Sequence, residues 1–62
     1  MLSKEYLERE YKQAILEYKA AINEDVKWVA RKTMANLEAC AMEMYGFTYA
    51  DKLHELTKEI NE

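Results

Sequence analysis

The sequence predicts an all-α fold of two or three amphipathic helices, at about residues 4–22, 24–45 and 48–61, assembled as a homo-oligomeric helical bundle. Three observations carry that expectation. Residues 9–15 (REYKQAI) recur as residues 16–22 (LEYKAAI), with five of seven positions identical. Proline is absent and Gly46 is the only glycine, so almost nothing punctuates a helical backbone. A composition of 50% hydrophobic and 34% charged residues supplies both a core face and a solvated face, unlike that of a disordered chain.

The heptad step aligns Tyr11 with Tyr18, Ala14 with Ala21 and Ile15 with Ile22, because seven residues make nearly two helical turns. With Leu7 these residues form the expected buried face of the first helix. Ser3 is placed to cap its first free N–H groups, and Glu5 lies near the positive end of its macrodipole. Arg9, Lys12, Gln13 and Lys19 share the opposite side with Glu5, and Glu8 and Lys12 are spaced for an i,i+4 ion pair. That side reads most simply as solvated.

A single helix from residue 4 to residue 45, about 63 Å long at 1.5 Å per residue, is the competing arrangement. Two features favour a break. The seam of Tyr11 and Tyr18 would next fall on Asp25 and Lys32, and Asn23-Glu24-Asp25 offers a capping residue followed by two acids. Against it, positions 7, 14, 21, 28, 35 and 42 stay apolar across the junction as Leu, Ala, Ala, Trp, Ala and Met.

The second helix carries a broad apolar arc of Val26, Val29, Ala30, Thr33, Met34, Leu37, Cys40, Ala41 and Met44. A narrower stripe lies nearly opposite. Trp28, Ala35, Ala39 and Met42 project there, between Lys27, Arg31 and Glu38 on one flank and Lys32, Asn36 and Glu43 on the other. Burial on two sides is expected of a helix between neighbours. Together with Tyr11 and Tyr18, this stripe is the expected oligomer contact.

Gly46 enters positive φ without steric cost and is expected just past the end of the second helix, with Phe47 folding back on Met42. Thr48 is then expected to cap the third helix, with Asp51 completing a capping box. Tyr49, Leu53, Leu56 and Ile60 recur at helical spacing and give that helix a docking face.

The 62 residues read as a single helical domain over 1–62. A chain of this size buries only about 60% of its unfolded surface and needs further support. Cys40 is the only cysteine, so an intrachain disulfide is excluded and oligomerisation is the remaining common route. No apolar run reaches membrane-spanning length and Met1-Leu2-Ser3-Lys4-Glu5 lacks a signal-peptide core, which reads as a cytoplasmic chain without a membrane partner. The net charge of −3 is spread as 0, −1 and −2 over residues 1–23, 24–46 and 47–62. A nucleic-acid partner calls for a clustered positive excess and is not expected.

Few residues suggest chemistry. Cys40 and His54 could in principle supply a thiol and its base, but Cys40 falls on the apolar arc, where a thiol is usually an inert core residue. Asp51 and His54 are spaced like metal ligands on one helical face, yet the cap already accounts for Asp51, and in His54-Glu55-Leu56-Thr57-Lys58 the last position is a lysine that cannot ligate. No enzyme activity, metal or cofactor is expected. Five tyrosines are many for this length; Tyr11 and Tyr18 read as core residues with a hydroxyl at the rim, whereas Tyr6, Tyr45 and Tyr49 read as freer.

The best candidate binding cluster is Lys27, Trp28, Arg31 and Lys32, since Arg31 and Lys32 both neighbour Trp28 on a helix. An indole beside two cations can stack on a planar ring while a cation meets a phosphate. An aromatic anchor with a solvated basic rim is the simpler account. The leading functional expectation is therefore a homo-oligomeric regulator, inhibitor or adaptor that occupies a protein target, and the alternative is sequestration of an anionic, nucleotide-like small molecule. Size and helical economy resemble those of small accessory proteins of phages and mobile elements, a likeness of type that no particular residue carries.

Overall fold

The computed structural model describes residues 3–59, which form α1 (Lys4–Ala20), α2 (Glu24–Tyr45), α3 (Phe47–His54) and a closing 3-10 segment, Glu55–Glu59. Each start of the two longer helices is set locally. Ser3 accepts a hydrogen bond from the Tyr6 N–H at 3.1 Å, and Asn23 Oδ1 accepts one from the Val26 N–H at 2.9 Å. Both satisfy donors that have no intrahelical partner, and each such cap is worth about 1 kcal/mol.

The chain breaks where Asn23 predicts it. The first helix ends two residues earlier than expected, at Ala20; Ala21 is extended at φ −62°, ψ 133°, and Ile22 is 92% exposed instead of completing the stripe. Three residues, 21–23, reverse the chain, and α2 returns antiparallel along α1. Three cross-helix contacts record the register: Tyr18 with Arg31, Tyr11 with Glu38, and Lys4 with Tyr45. Each step of seven down α1 meets a step of seven up α2, so the heptad of the first helix is used inside the chain.

The core joins Leu7, Tyr11, Ala14 and Ile15 of α1 to Met34 and Ala41 of α2 and Ala50 and Leu53 of α3. Alanines on all three helices let the backbones approach closely. Of the arc predicted on α2, Ala30, Met34 and Ala41 are buried, but Val26, Val29 and Thr33 are exposed. The reason is the side on which α3 packs. It lies beside Glu38, Ala39 and Met42, near the C-terminal end of α2 and around the helix from Val26, Val29 and Thr33. The resulting body is thin, measuring 33 × 23 × 15 Å, and within one chain α2 is buried on one side only.

Gly46 joins α2 to α3 alone. Its N–H donates to the Met42 carbonyl at 3.0 Å and its carbonyl accepts from the Ala50 N–H at 3.2 Å, so one residue closes one helix and opens the next. Its φ of 92° and ψ of 171° lie beyond the left-handed helical region, where essentially only glycine is found. With no residue to spare, the cap expected of Thr48 and Asp51 does not form: α3 starts at Phe47, one residue early, and has no side-chain cap. Phe47 does not bury itself on Met42 but stands 70% exposed. The α-helix ends at His54, short of residue 61, and tightens into the 3-10 segment; Ile60 lies outside the described residues.

Tyr49 ties the far end of the chain to the beginning. Its hydroxyl donates to the Lys4 carbonyl at 3.1 Å and lies 3.3 Å from Glu8 Oε1. Lys4 Nζ stands 5.1 Å and 5.2 Å from the Tyr45 and Tyr49 ring centroids, and the two rings meet edge to face at 5.3 Å. The tyrosines beside Gly46, read from the sequence as freer, therefore clamp the start of α1. Among the described residues, no helix is long and apolar enough to cross a membrane.

Candidate interaction surface

The four residues Lys27, Trp28, Arg31 and Lys32 occupy the first two turns of α2 but do not act as one group. Lys32 Nζ lies 5.2 Å from the Trp28 ring centroid, on the outward side. Arg31 turns instead to α1. Its Nη2 donates to the Tyr18 hydroxyl at 2.9 Å and its guanidinium carbon sits 5.2 Å above the Tyr18 ring. Lys27 reaches the same ring at 6.0 Å and pairs with Glu24 at 3.7 Å. The cluster thus divides into an outer cation–indole pair and an inner pair of cations on Tyr18.

An open recess of about 410 Å³ lies between the end of α1 and the start of α2, lined by Tyr18, Trp28, Lys27 and Arg31 together with Glu24 and Asp25. Two cations face two carboxylates there. The acids that favour the N-terminal end of α2 also offset the positive charge that an anionic ligand would need.

No family model matches the chain, and neither a curated protein nor a solved structure matches it.

Each residue of the apolar stripe is exposed: Trp28 at 62% and Met42 at 48%, with Ala35 and Ala39 between them. Phe47 extends it. Phe47, Met42 and Ala39 line a shallow recess of about 170 Å³ at the C-terminal end of α2. Sequence reasoning missed Phe47 as a surface residue, because a hydrophobic side chain after a helix-ending glycine ordinarily packs back on the helix. A second exposed patch runs from Ile22 through Val26 to Val29.

Of the expected oligomer contacts, Tyr11 is relocated: it is fully buried in the chain's own core and presents no surface to a second copy. Tyr18, half-buried, is engaged by Arg31 within the chain. The antiparallel return of α2 is the cause, since it brings a partner helix to the heptad seam from the same chain.

A polar ladder edges this seam. Glu38 Oε2 accepts from the Tyr11 hydroxyl at 3.2 Å, and Glu38 Oε1 lies 2.7 Å from His54 Nδ1. A groove of about 270 Å³ opens above these groups and Arg31. Burial, reinforced by the charge and hydrogen bond of Glu38, pushes the Tyr11 hydroxyl well above the ordinary tyrosine value. Tyr49 is raised as well, by burial first and then by Glu8. His54 is directed to Glu38 and Cys40 sits half-buried against the core, so the two form no dyad. Among the described residues no three His, Cys, Asp or Glu side chains gather in a metal-binding group.

Proposed function

We propose that this chain is a non-catalytic helical interaction protein that self-associates and acts by occupying a protein partner. The observation that carries the reading is the amount of large apolar side chain left outside the core of so short a chain, most of it on or beside α2. Trp28 and Met42 lie on one flank of α2 with Phe47 just past its end, and Val26 and Val29 on another with Ile22 just before its start. Contiguous exposed apolar surface of this kind marks a binding face more often than it marks ordinary solvated surface. Two faces allow one to hold another copy and one to hold a target. Native mass spectrometry of a tagged chain purified from its producing cells tests the target face. A stoichiometric protein partner is expected, lost on Val29→Glu with helical circular dichroism unchanged. A chain that shows neither self-association nor a partner up to about 100 micromolar, far weaker than stable complexes require, overturns the proposal.

Capture of an anionic small molecule is the second reading. It is favoured by the Tyr18 recess, where Arg31 has further N–H donors beyond the one given to Tyr18. The carboxylates of Glu24 and Asp25 on the same recess place it behind. Titration with a nucleoside triphosphate, with Arg31→Ala as control, decides it. Heat that is absent, or that survives the substitution, removes this reading.

A further inference from the structure

We propose that the stripe from Trp28 to Phe47 binds a second copy of the chain in antiparallel orientation, about a two-fold axis near Ala35. The inference rests on the interaction reading above and specifies its first partner.

The stripe is self-complementary in shape. Trp28 precedes Ala35 by seven residues and Met42 follows it by seven, so bulky ends lie about 10.5 Å to either side of a small centre. Turning one helix over against another places the Trp28 indole of each copy opposite Met42 of the other. There the recess of about 170 Å³ that Ala39, Met42, Phe47 and Ala50 line together with Glu38, Asp51 and His54 receives it. Ala35 and Ala39, both exposed, allow the two backbones to approach to about 8 Å. Such a contact is isologous and closes as a dimer. A parallel pairing sets indole against indole and leaves both recesses empty.

Charge selects the same orientation. After Glu24 and Asp25 in its first turn, the first half of α2 carries Lys27, Arg31 and Lys32, whereas from residue 33 to residue 45 the only charged side chains are Glu38 and Glu43. Antiparallel packing lays the three cations on the acidic half and brings Arg31 beside Glu38 of the other copy. Parallel packing instead sets Lys32 against Lys32 and acid against acid. Like-charge juxtaposition of this kind suppresses the wrong arrangement. Lys32 Nζ stands 5.2 Å from the Trp28 ring centroid, and its long stem lets the ammonium swing out to solvent when the indole is covered.

Disulfide trapping tests the arrangement. In a Cys40→Ala background, Lys32→Cys and Ala39→Cys chains are prepared separately, mixed in equal amounts and oxidised gently. The antiparallel dimer brings position 32 of one copy close to position 39 of the other. It holds the two positions 32 about 9 Å apart along the axis, and the two positions 39 about 12 Å apart, beyond the roughly 7 Å Cα limit for a disulfide. A mixed disulfide is expected, with none from either chain alone. Sedimentation should show a dimer that Trp28→Ala weakens by about 30-fold or more, the effect of losing a hot-spot aromatic, while circular dichroism stays helical. A monomer, a dimer that gives only like-to-like disulfides, or a dimer that gives no mixed disulfide overturns the proposal. These results are separable from the target reading: release of a partner by Val29→Glu can occur without the antiparallel dimer, and the mixed disulfide can form without any target.

Discussion

Tyr11 reaches across from α1 to donate its hydroxyl to Glu38 of α2 at 3.2 Å, joining residues 27 positions apart with the ring fully buried. The same carboxylate holds His54 of α3, so one side chain links all three helices. Tyr11→Phe keeps the packing and removes one donor, with His54 still satisfying Glu38. A loss of about 0.5–1.5 kcal/mol is expected. Tyr11→Ala empties the core and should cost about 3–5 kcal/mol, enough to unfold a chain of this size. Denaturant titrations of the two variants measure both; equal losses would mean that the ring contributes nothing beyond its hydroxyl.

Alkaline pH should act through the same residue. The folded state holds the Tyr11 proton more tightly than the unfolded chain, where the ordinary value of 10.0 applies. Above that value the unfolded state binds fewer protons, so stability is fully present below about pH 10 and declines as pH rises further. Tyr49 is raised in the same direction and adds to the decline. Melting temperatures from pH 8 to pH 11.5 should fall less steeply for Tyr11→Phe than for the parent chain. Parallel curves would assign the alkaline loss elsewhere.

Gly46 is constrained by its backbone and not by crowding. Nothing lies within 4 Å of where a Cβ would stand, yet φ is +92° with ψ 171°. Gly46→Ala should therefore cost about 1–3 kcal/mol. Gly46→Asn should be no milder, because the tolerance of asparagine for positive φ belongs to ψ near +47°. Thermal melts of the pair distinguish this geometry from an ordinary left-handed cap, for which asparagine would be clearly the better tolerated.

Asn23→Ala offers a test with opposite signs. As the cap of α2, Asn23 satisfies the Val26 N–H, and its removal should cost about 1 kcal/mol. In an uninterrupted helix the same substitution would stabilise, since alanine is the better helix former. A rise in melting temperature would contradict the break at residues 21–23.

Tyr49→Phe should loosen the beginning of α1 without unfolding the chain. It removes the hydroxyl that holds the Lys4 carbonyl and approaches Glu8. Amide exchange is expected to quicken at residues 4–8 before it does at the Tyr11–Ile15 side of the core, by local opening. Uniform acceleration along all three helices would show instead that the clamp stabilises the fold globally.

The cluster at the start of α2 was legible as a cluster and not as a site. Lys27, Trp28, Arg31 and Lys32 must share adjacent turns of a helix, and that follows from spacing alone. That Arg31 leaves Trp28 for Tyr18, and that Glu24 and Asp25 face the same recess, depends on where α1 ends relative to α2.

What the sequence determined by itself is helix, and nearly where each helix starts. Ser3, Asn23 and Gly46 act on backbone groups within four residues of themselves, so their effect is written locally. Even there the junction at Gly46 escaped it, because a one-residue link leaves no place for the cap that Thr48 would have supplied. Which apolar face is core was decided only by the tertiary structure. Trp28, Val29 and Phe47 are as hydrophobic as Leu7 and Leu53, but α3 packs near the C-terminal end of α2 and lies on one side of it. Periodicity says that a helix has an apolar face; the lengths and directions of the neighbouring helices say whether anything in the chain meets it.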